Sequence, residues 1–210
     1  MILMPRLYAV LDASCFSTTQ ELLSAAEELL SAGVTLIQYR NKSGDAREIL
    51  AQTRELKTQL SRTRASAPHL RLIMNDRADL CLAAGFDGVH VGQDDLLPYS
   101  ARKIIGPERW LGVSTHNAEQ VGDADKTSAD YVAIGPVFAT SSKTSPDPLV
   151  GLDGVRTARG LTRKPLVGIG GITRANCRSV IEAGADSVAV ISDLATDPGK
   201  SAEEFLRILG

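Results

Sequence analysis

Short apolar runs alternate with helical patterns along the whole chain. LYAVLD (7–12), TLIQYR (35–40), LRLIMN (70–75), GVHVG (88–92), WLGVS (110–114), YVAIGP (131–136), PLVGIG (165–170) and SVAVIS (187–192) are mostly rich in β-branched residues and bounded by Gly, Asp or Asn, which predicts eight strands. Between them, TTQELLSAAEELLSAG (18–33) spaces its leucines at helical period, with a Thr start and a Gly stop. DAREILAQTRELKTQL (45–60), ITRANCRSVIEAG (172–184) and SAEEFLRIL (201–209) follow the same pattern, and shorter helices are expected at 78–84, 98–105, 117–126 and 152–161. Strand–helix repetition favours parallel pairing with right-handed crossovers. Eight such units in 210 residues predict an α/β fold, a single-domain (β/α)8 TIM barrel over 1–210, with a doubly wound open sheet as the alternative. The most loop-like stretch, ATSSKTSPDPLVG (139–151), follows strand six and is a candidate lid.

The polar positions inside this pattern suggest where chemistry occurs. Strand side chains alternate between faces, so Leu36, Gln38 and Arg40 share one face, joined by Lys42 if the strand continues, while Thr35, Ile37 and Tyr39 share the other. In a TIM barrel the active site lies at the C-terminal strand ends. Asn75 to Arg77, Gln93 to Asp95, Ser114, His116, Thr140, Ser142, Lys143, GIGGIT (168–173), Ile191 and Ser192 all fall at such ends. Each alone fits a rim charge, a helix cap or a tight turn, and it is their convergence from several strands that points to a site. His90, within GVHVG, reads as a packed strand histidine; His116 reads similarly, with more reason to face the mouth.

Charge and composition narrow the choice. Lys and Arg total 23 against 25 Asp and Glu, a formal net charge of −2, so no global basic field recruits nucleic acid or an anionic membrane. No apolar run is long enough to span a bilayer, and MILMPRLYAVLDA reads as a first strand rather than a signal peptide. Cys15, Cys81 and Cys177 are scattered, which argues against a disulfide framework or a zinc site and for a cytoplasmic chain with each cysteine a small core residue. Any anion site is therefore local. Arg40, Lys42 and Lys143 carry enough charge to neutralise most of a diphosphate. Asp76 and Asp95 would repel that anion but make sense as ligands of Mg2+, a hard ion that bridges carboxylates to phosphates. GIGGIT, read as opening a helix, suits a monophosphate. Two anion sites, one with metal, suit the joining of a diphosphate substrate to a phosphorylated acceptor.

QYRNK, ND, GVHVGQDD, GVSTH, AIGPVFATSSK, VGIGGI and AVIS, in this order and spacing over nearly the whole chain, resemble the thiamine phosphate synthase family. The resemblance implies a TIM barrel that joins hydroxymethylpyrimidine diphosphate to thiazole phosphate, releasing pyrophosphate with Mg2+ as cofactor. It implies that Gln38, Arg40, Lys42 and Asn75 hold the pyrimidine diphosphate and that Asp76 and Asp95 hold the metal. Ser114 matches a pyrimidine contact, Lys143 a diphosphate contact, and Thr140, Ser142, Gly171, Ile191 and Ser192 thiazole phosphate contacts. Arg40, Lys42, Ser114 and Lys143 are thereby the candidate catalytic residues. Ser142 stands where the family often has Thr, and Ala139 where Pro is common. The partners implied are small molecules, with a homodimer allowed. Two related readings stand beside this one: a thiazole tautomerase using His116 for proton transfer, and a catalytically silent thiamine-precursor-binding protein. A Schiff-base aldolase using Lys143 fits less well, because that lysine lies in a polar loop among other cations.

Overall fold

The computed structural model describes residues 2–63, 69–140 and 148–210, with the side chains of residues 62 and 63 left out. Among these residues the chain runs β1 (Leu7–Asp12), α1 (Thr19–Ser31), β2 (Leu36–Arg40), α2 (Ala46–Thr63), β3 (Arg71–Asn75), α3 (Ala78–Ala84), β4 (Gly88–Val91) and α4 (Pro98–Ile105). It continues through β5 (Trp110–Thr115), α5 (Ala118–Asp125), β6 (Tyr131–Ile134), α6 (Gly151–Leu161), β7 (Leu166–Ile169), α7 (Cys177–Glu182), β8 (Ser187–Val190) and α8 (Pro198–Leu209). The strands pair in sequence order, and β1 closes on β8 through Leu7 opposite Val188 and Ala9 opposite Val190. A closed parallel barrel leaves no sheet edge, which excludes the open doubly wound sheet.

The period-two pattern sorts each strand between two cores. Tyr8, Val10, Leu36, Ile73, Tyr131, Ala133, Val167 and Ala189 fill the barrel interior. Leu7, Ala9, Leu11, Ile37, Tyr39, Leu72 and Met74 pack outward against the helices. Both faces are buried, which is why the strands read as nearly continuous apolar runs. Local signals fix the helix ends. Thr18 accepts the Glu21 N–H at 3.2 Å and Glu21 returns a bond from the Ser17 N–H at 2.8 Å, while Gly85 ends α3 at φ +66°. Cys81 and Cys177 are buried as expected, whereas Cys15 is exposed. No helix among the described residues is long and apolar enough to cross a membrane.

One expected element differs. The helix expected over 172–184 begins only at Cys177. The Asn176 side chain accepts the Thr173 N–H at 2.8 Å and donates to the Gly171 carbonyl at 3.0 Å. This folds residues 171–176 into a turn, so GIGGIT forms a loop that precedes the helix rather than opening it.

Candidate active site

Strands β1 to β4 bring one group of polar side chains to the mouth. Arg40 lies opposite Asp12 in the β1–β2 register and its guanidinium donates to the Asp12 carboxylate. Asp12 is almost wholly buried and also accepts from the Ser14 N–H at 3.0 Å and its hydroxyl at 2.8 Å. The half-exposed Lys42 ammonium pairs with Asp76. Asp76 adopts a left-handed backbone at φ +60°, and its N–H donates to the His90 carbonyl at 2.8 Å, so the chain turns sharply as β3 ends. Asp95, after β4, accepts the Gly92 N–H at 2.8 Å and comes within hydrogen-bonding reach of Asp76. Burial, then the Asp95 carboxyl, pushes Asp76 up to about 6, against the pull of Lys42. Asn75 sits half-buried beside them at the end of β3. Among the described residues no cluster of three or more acidic, His or Cys side chains is arranged as a metal cage, so Asp76 and Asp95 stand as a pair.

A hydrogen-bonded row crosses the barrel beneath this mouth. Gln38 Nε2 donates to the Tyr8 hydroxyl at 2.7 Å, and the Tyr8 and Tyr131 hydroxyls are 2.9 Å apart. The Tyr131 hydroxyl lies 3.1 Å from His90 Nδ1, and His90 Nε2 lies 2.8 Å from Ser114 Oγ. Burial holds His90 down at about 4 and raises both phenols far above their ordinary value, so all three are neutral at neutral pH. Gly112 makes the room: a Cβ there would fall 2.1 Å from the Tyr131 ring and 2.4 Å from His90 Nδ1. His90 is the packed histidine expected, and it is also the support of Ser114. His116 donates from Nδ1 to the Gly135 carbonyl at 2.6 Å and from its backbone N–H to Gln120 Oε1 at 2.6 Å.

Strands β6 to β8 build the opposite wall. Val137 and Phe138 donate backbone hydrogen bonds to Ile169 and Gly170 at 2.9 and 3.0 Å, laying the β6 loop along the end of β7. Gly171 has φ +62°, and a Cβ there would meet the Ala139 carbonyl at 2.3 Å. The half-buried Thr140 therefore follows directly on the segment that touches Gly171. Ile191 packs against the interior core, and the exposed Ser192 starts a 3-10 turn. Ser142 and Lys143 lie outside the described residues.

Five supporting residues escaped the sequence reading: Asp12, Tyr8, Tyr131, Arg174 and Asp193. Tyr8 and Asp12 were accessible in principle, because Tyr8, Val10 and Asp12 alternate with Leu7, Ala9 and Leu11 in LYAVLD. Arg174 and Asp193 were not, since their meeting joins two loops. The Arg174 N–H and side chain both donate to Asp193, and Nη1 donates to Glu204 at 2.6 Å.

Cations and paired carboxylates at the C-terminal mouth of a closed barrel place the chain among the TIM-barrel enzymes that do their chemistry at that face. A family model described as thiamine monophosphate synthase matches residues 7–194. The thiamine-phosphate synthase of Koribacter versatilis (strain Ellin345) is 61% identical over 209 residues, covering 98% of this chain and 96% of the relative. That of Chloroflexus aurantiacus is 42% identical over 205 residues, covering 97% and 92%. The solved thiamine phosphate pyrophosphorylase from Pyrococcus furiosus superposes with a TM-score of 0.84 at 30% identity, over 97% of this chain and 95% of that one. The chain belongs to the thiamine monophosphate synthase family, transferases that form thiamine phosphate in thiamine biosynthesis.

Proposed function

We propose that the chain joins hydroxymethylpyrimidine diphosphate to thiazole phosphate through a dissociative reaction at this mouth. In this reading Gln38, Arg40, Lys42, Asn75 and Ser114 hold the pyrimidine diphosphate, with Lys143 reaching its phosphates. Thr140, Ser142, Gly171, Ile191 and Ser192 hold the thiazole phosphate. The observation that carries it is the convergence at one end of the barrel of Arg40, held by Asp12, and Lys42, held by Asp76 beside Asp95.

Asp76 and Asp95 fit Mg2+ in donor type: both are hard oxygen ligands, and their mutual repulsion, visible in the raised Asp76 carboxyl, is relieved by a divalent cation. When bound, Mg2+ supplies positive charge for the oxygens of the departing pyrophosphate. The protein's own groups do the rest. Arg40 offers a planar fork that can exchange the Asp12 carboxylate for phosphate oxygens, and Lys42 can swing from Asp76 to the diphosphate. Ser114 and Gln38 orient the pyrimidine so that its amino-substituted ring stabilises the methylene cation as pyrophosphate leaves. The opposite wall presents the thiazole nitrogen to that carbon. The apolar interior below excludes water, and positioning with charge neutralisation replaces protein proton transfer.

Pyrophosphate release, followed with a coupled assay, is expected only when both substrates and magnesium are present. Full-rate turnover without magnesium would sink the metal role, and isomerisation of a thiazole in place of pyrophosphate release would favour the tautomerase.

A further inference from the structure

With the Gln38 amide nitrogen facing Tyr8, one order of hydrogens along the row Gln38–Tyr8–Tyr131–His90–Ser114 puts every donor to use. Gln38 Nε2 can only donate to the Tyr8 oxygen. Tyr8 has a single hydroxyl hydrogen, which must then go to Tyr131, its other partner at 2.9 Å. Tyr131, accepting from Tyr8, gives its own hydrogen to His90 Nδ1 at 3.1 Å. The hydrogen of the neutral imidazole is left on Nε2 and is donated to Ser114 Oγ at 2.8 Å. Ser114 therefore accepts from below and keeps its own hydrogen to give. At the other end, spending the Gln38 amide nitrogen on Tyr8 leaves the Gln38 carbonyl oxygen as an acceptor for the site.

We propose that this row is a specificity determinant, with Tyr8, Tyr131 and His90 as positioning residues that fix Ser114 as a hydrogen donor and the Gln38 carbonyl as an acceptor, and that this polarity selects a 4-aminopyrimidine over its 4-oxo counterpart. The inference rests on the proposed pairing of Gln38 and Ser114 with the pyrimidine. An aminopyrimidine carries a donor in its exocyclic amino group and acceptors in its ring nitrogens, so it matches both ends of the row. A 4-oxo ring replaces that donor with an acceptor and protonates a ring nitrogen, so it meets like with like. A site built on paired hydrogen bonds rejects such an analogue far more strongly than an apolar pocket would, because buried polar groups are left unpaired. Gly112 is part of the device, since any side chain there would occupy the space of the Tyr131–His90 contact.

The test has two arms. In the first, ring 15N shifts of His90 are recorded at neutral pH without substrate, assigned against a His90→Gln variant because His69 and His116 also contribute signals. Nε2 is expected to carry the hydrogen and Nδ1 to be bare; the reverse tautomer or an imidazolium overturns the inference. In the second, the intact enzyme is compared with Tyr131→Phe, and with Tyr8→Phe should the first variant fail to fold. The KM for the pyrimidine diphosphate is expected to rise about tenfold, while that for thiazole phosphate stays unchanged. The preference for the 4-amino over the 4-oxo diphosphate should shrink by a similar factor. A merely structural tyrosine would depress both substrates alike and leave the preference intact, and that result overturns the specificity role. The expected tautomer with unchanged pyrimidine KM would overturn the assignment of this row to the pyrimidine. Because the tautomer is read without substrate, this outcome stays distinct from failure of the hydrogen-bond order.

Discussion

Asp76 and His90 titrate in overlapping pH ranges with opposite effects on stability. Asp76 is raised from 3.8 to about 6, so the folded chain holds more protons than the unfolded chain between those values, and stability falls as pH climbs through them. His90 is lowered from 6.5 to about 4, so the unfolded chain holds more protons there, and stability rises as pH climbs from 4 to 6.5. The His90 contribution is on the order of 3 kcal/mol at neutral pH. Asp76→Asn removes one of the two opposing groups, and Asn tolerates the left-handed backbone that Asp76 adopts. Urea unfolding between pH 4 and 7 is expected to show a steeper gain of stability with pH in the variant than in the parent. Parallel curves would mean that Asp76 ionises in the ordinary carboxylate range. At this scale the sequence was informative wherever period two sufficed, as for Gln38 and Arg40 in TLIQYR. It was silent on Asp12 as the partner of Arg40, because that contact needs the register between two strands.

Among the elements, strands were legible because burial on both faces leaves long apolar runs, and the helices next to them carried caps and leucine spacing. The loop after β7 was misread because GIGGIT followed by an apolar periodic stretch looks like a helix start. The Asn176 side chain, which satisfies two backbone groups of the turn, decides against it. This changes what a substitution at Gly171 does. An added methyl would meet the Ala139 carbonyl and would strain a φ of +62°, so Gly171→Ala acts first on the β6 loop. The expected result is a loss of roughly 1–3 kcal/mol of stability with a KM for thiazole phosphate that rises more than that for the pyrimidine diphosphate. Equal losses for both substrates would separate this loop contact from the thiazole site. Arg174 makes a complementary case, since its fork joins the loops after β7 and β8 through Asp193 and reaches Glu204 on α8. Arg174→Lys keeps the charge but loses the fork. It should raise the thiazole phosphate KM while leaving the pyrimidine KM and the magnesium dependence in place. Unchanged kinetics would make the junction a matter of stability alone.

For the whole molecule, the charge balance at the mouth predicts how ligands cooperate. In the free chain two of the cations proposed for the diphosphate are already engaged, Arg40 by Asp12 and Lys42 by Asp76. Pyrophosphate arriving alone must draw both away from carboxylates and then face Asp76 and Asp95 unshielded. A magnesium ion arriving alone must compete with Lys42 for Asp76. On the proposed assignment the two together would resolve each other's conflict: Asp76 would turn to the metal, Lys42 would be released to the anion, and a cation would separate the like charges. Ligand binding to the folded state stabilises it by mass action, about 2.7 kcal/mol at a hundredfold excess over Kd, or roughly 5–10 °C for a chain of this size. The Tm is therefore expected to rise little with pyrophosphate or magnesium separately and by more than the sum with both. Asp76→Asn should break this coupling in a specific direction. Lys42 is free from the start in that variant, so pyrophosphate alone should protect it better than it protects the parent, while added magnesium should contribute less. Asp95→Ala keeps the Lys42–Asp76 pair and should lose the magnesium effect without gaining the metal-free one. Strictly additive shifts in the parent, or identical behaviour of the two variants, would show that the carboxylates do not exchange their partners when the anion binds.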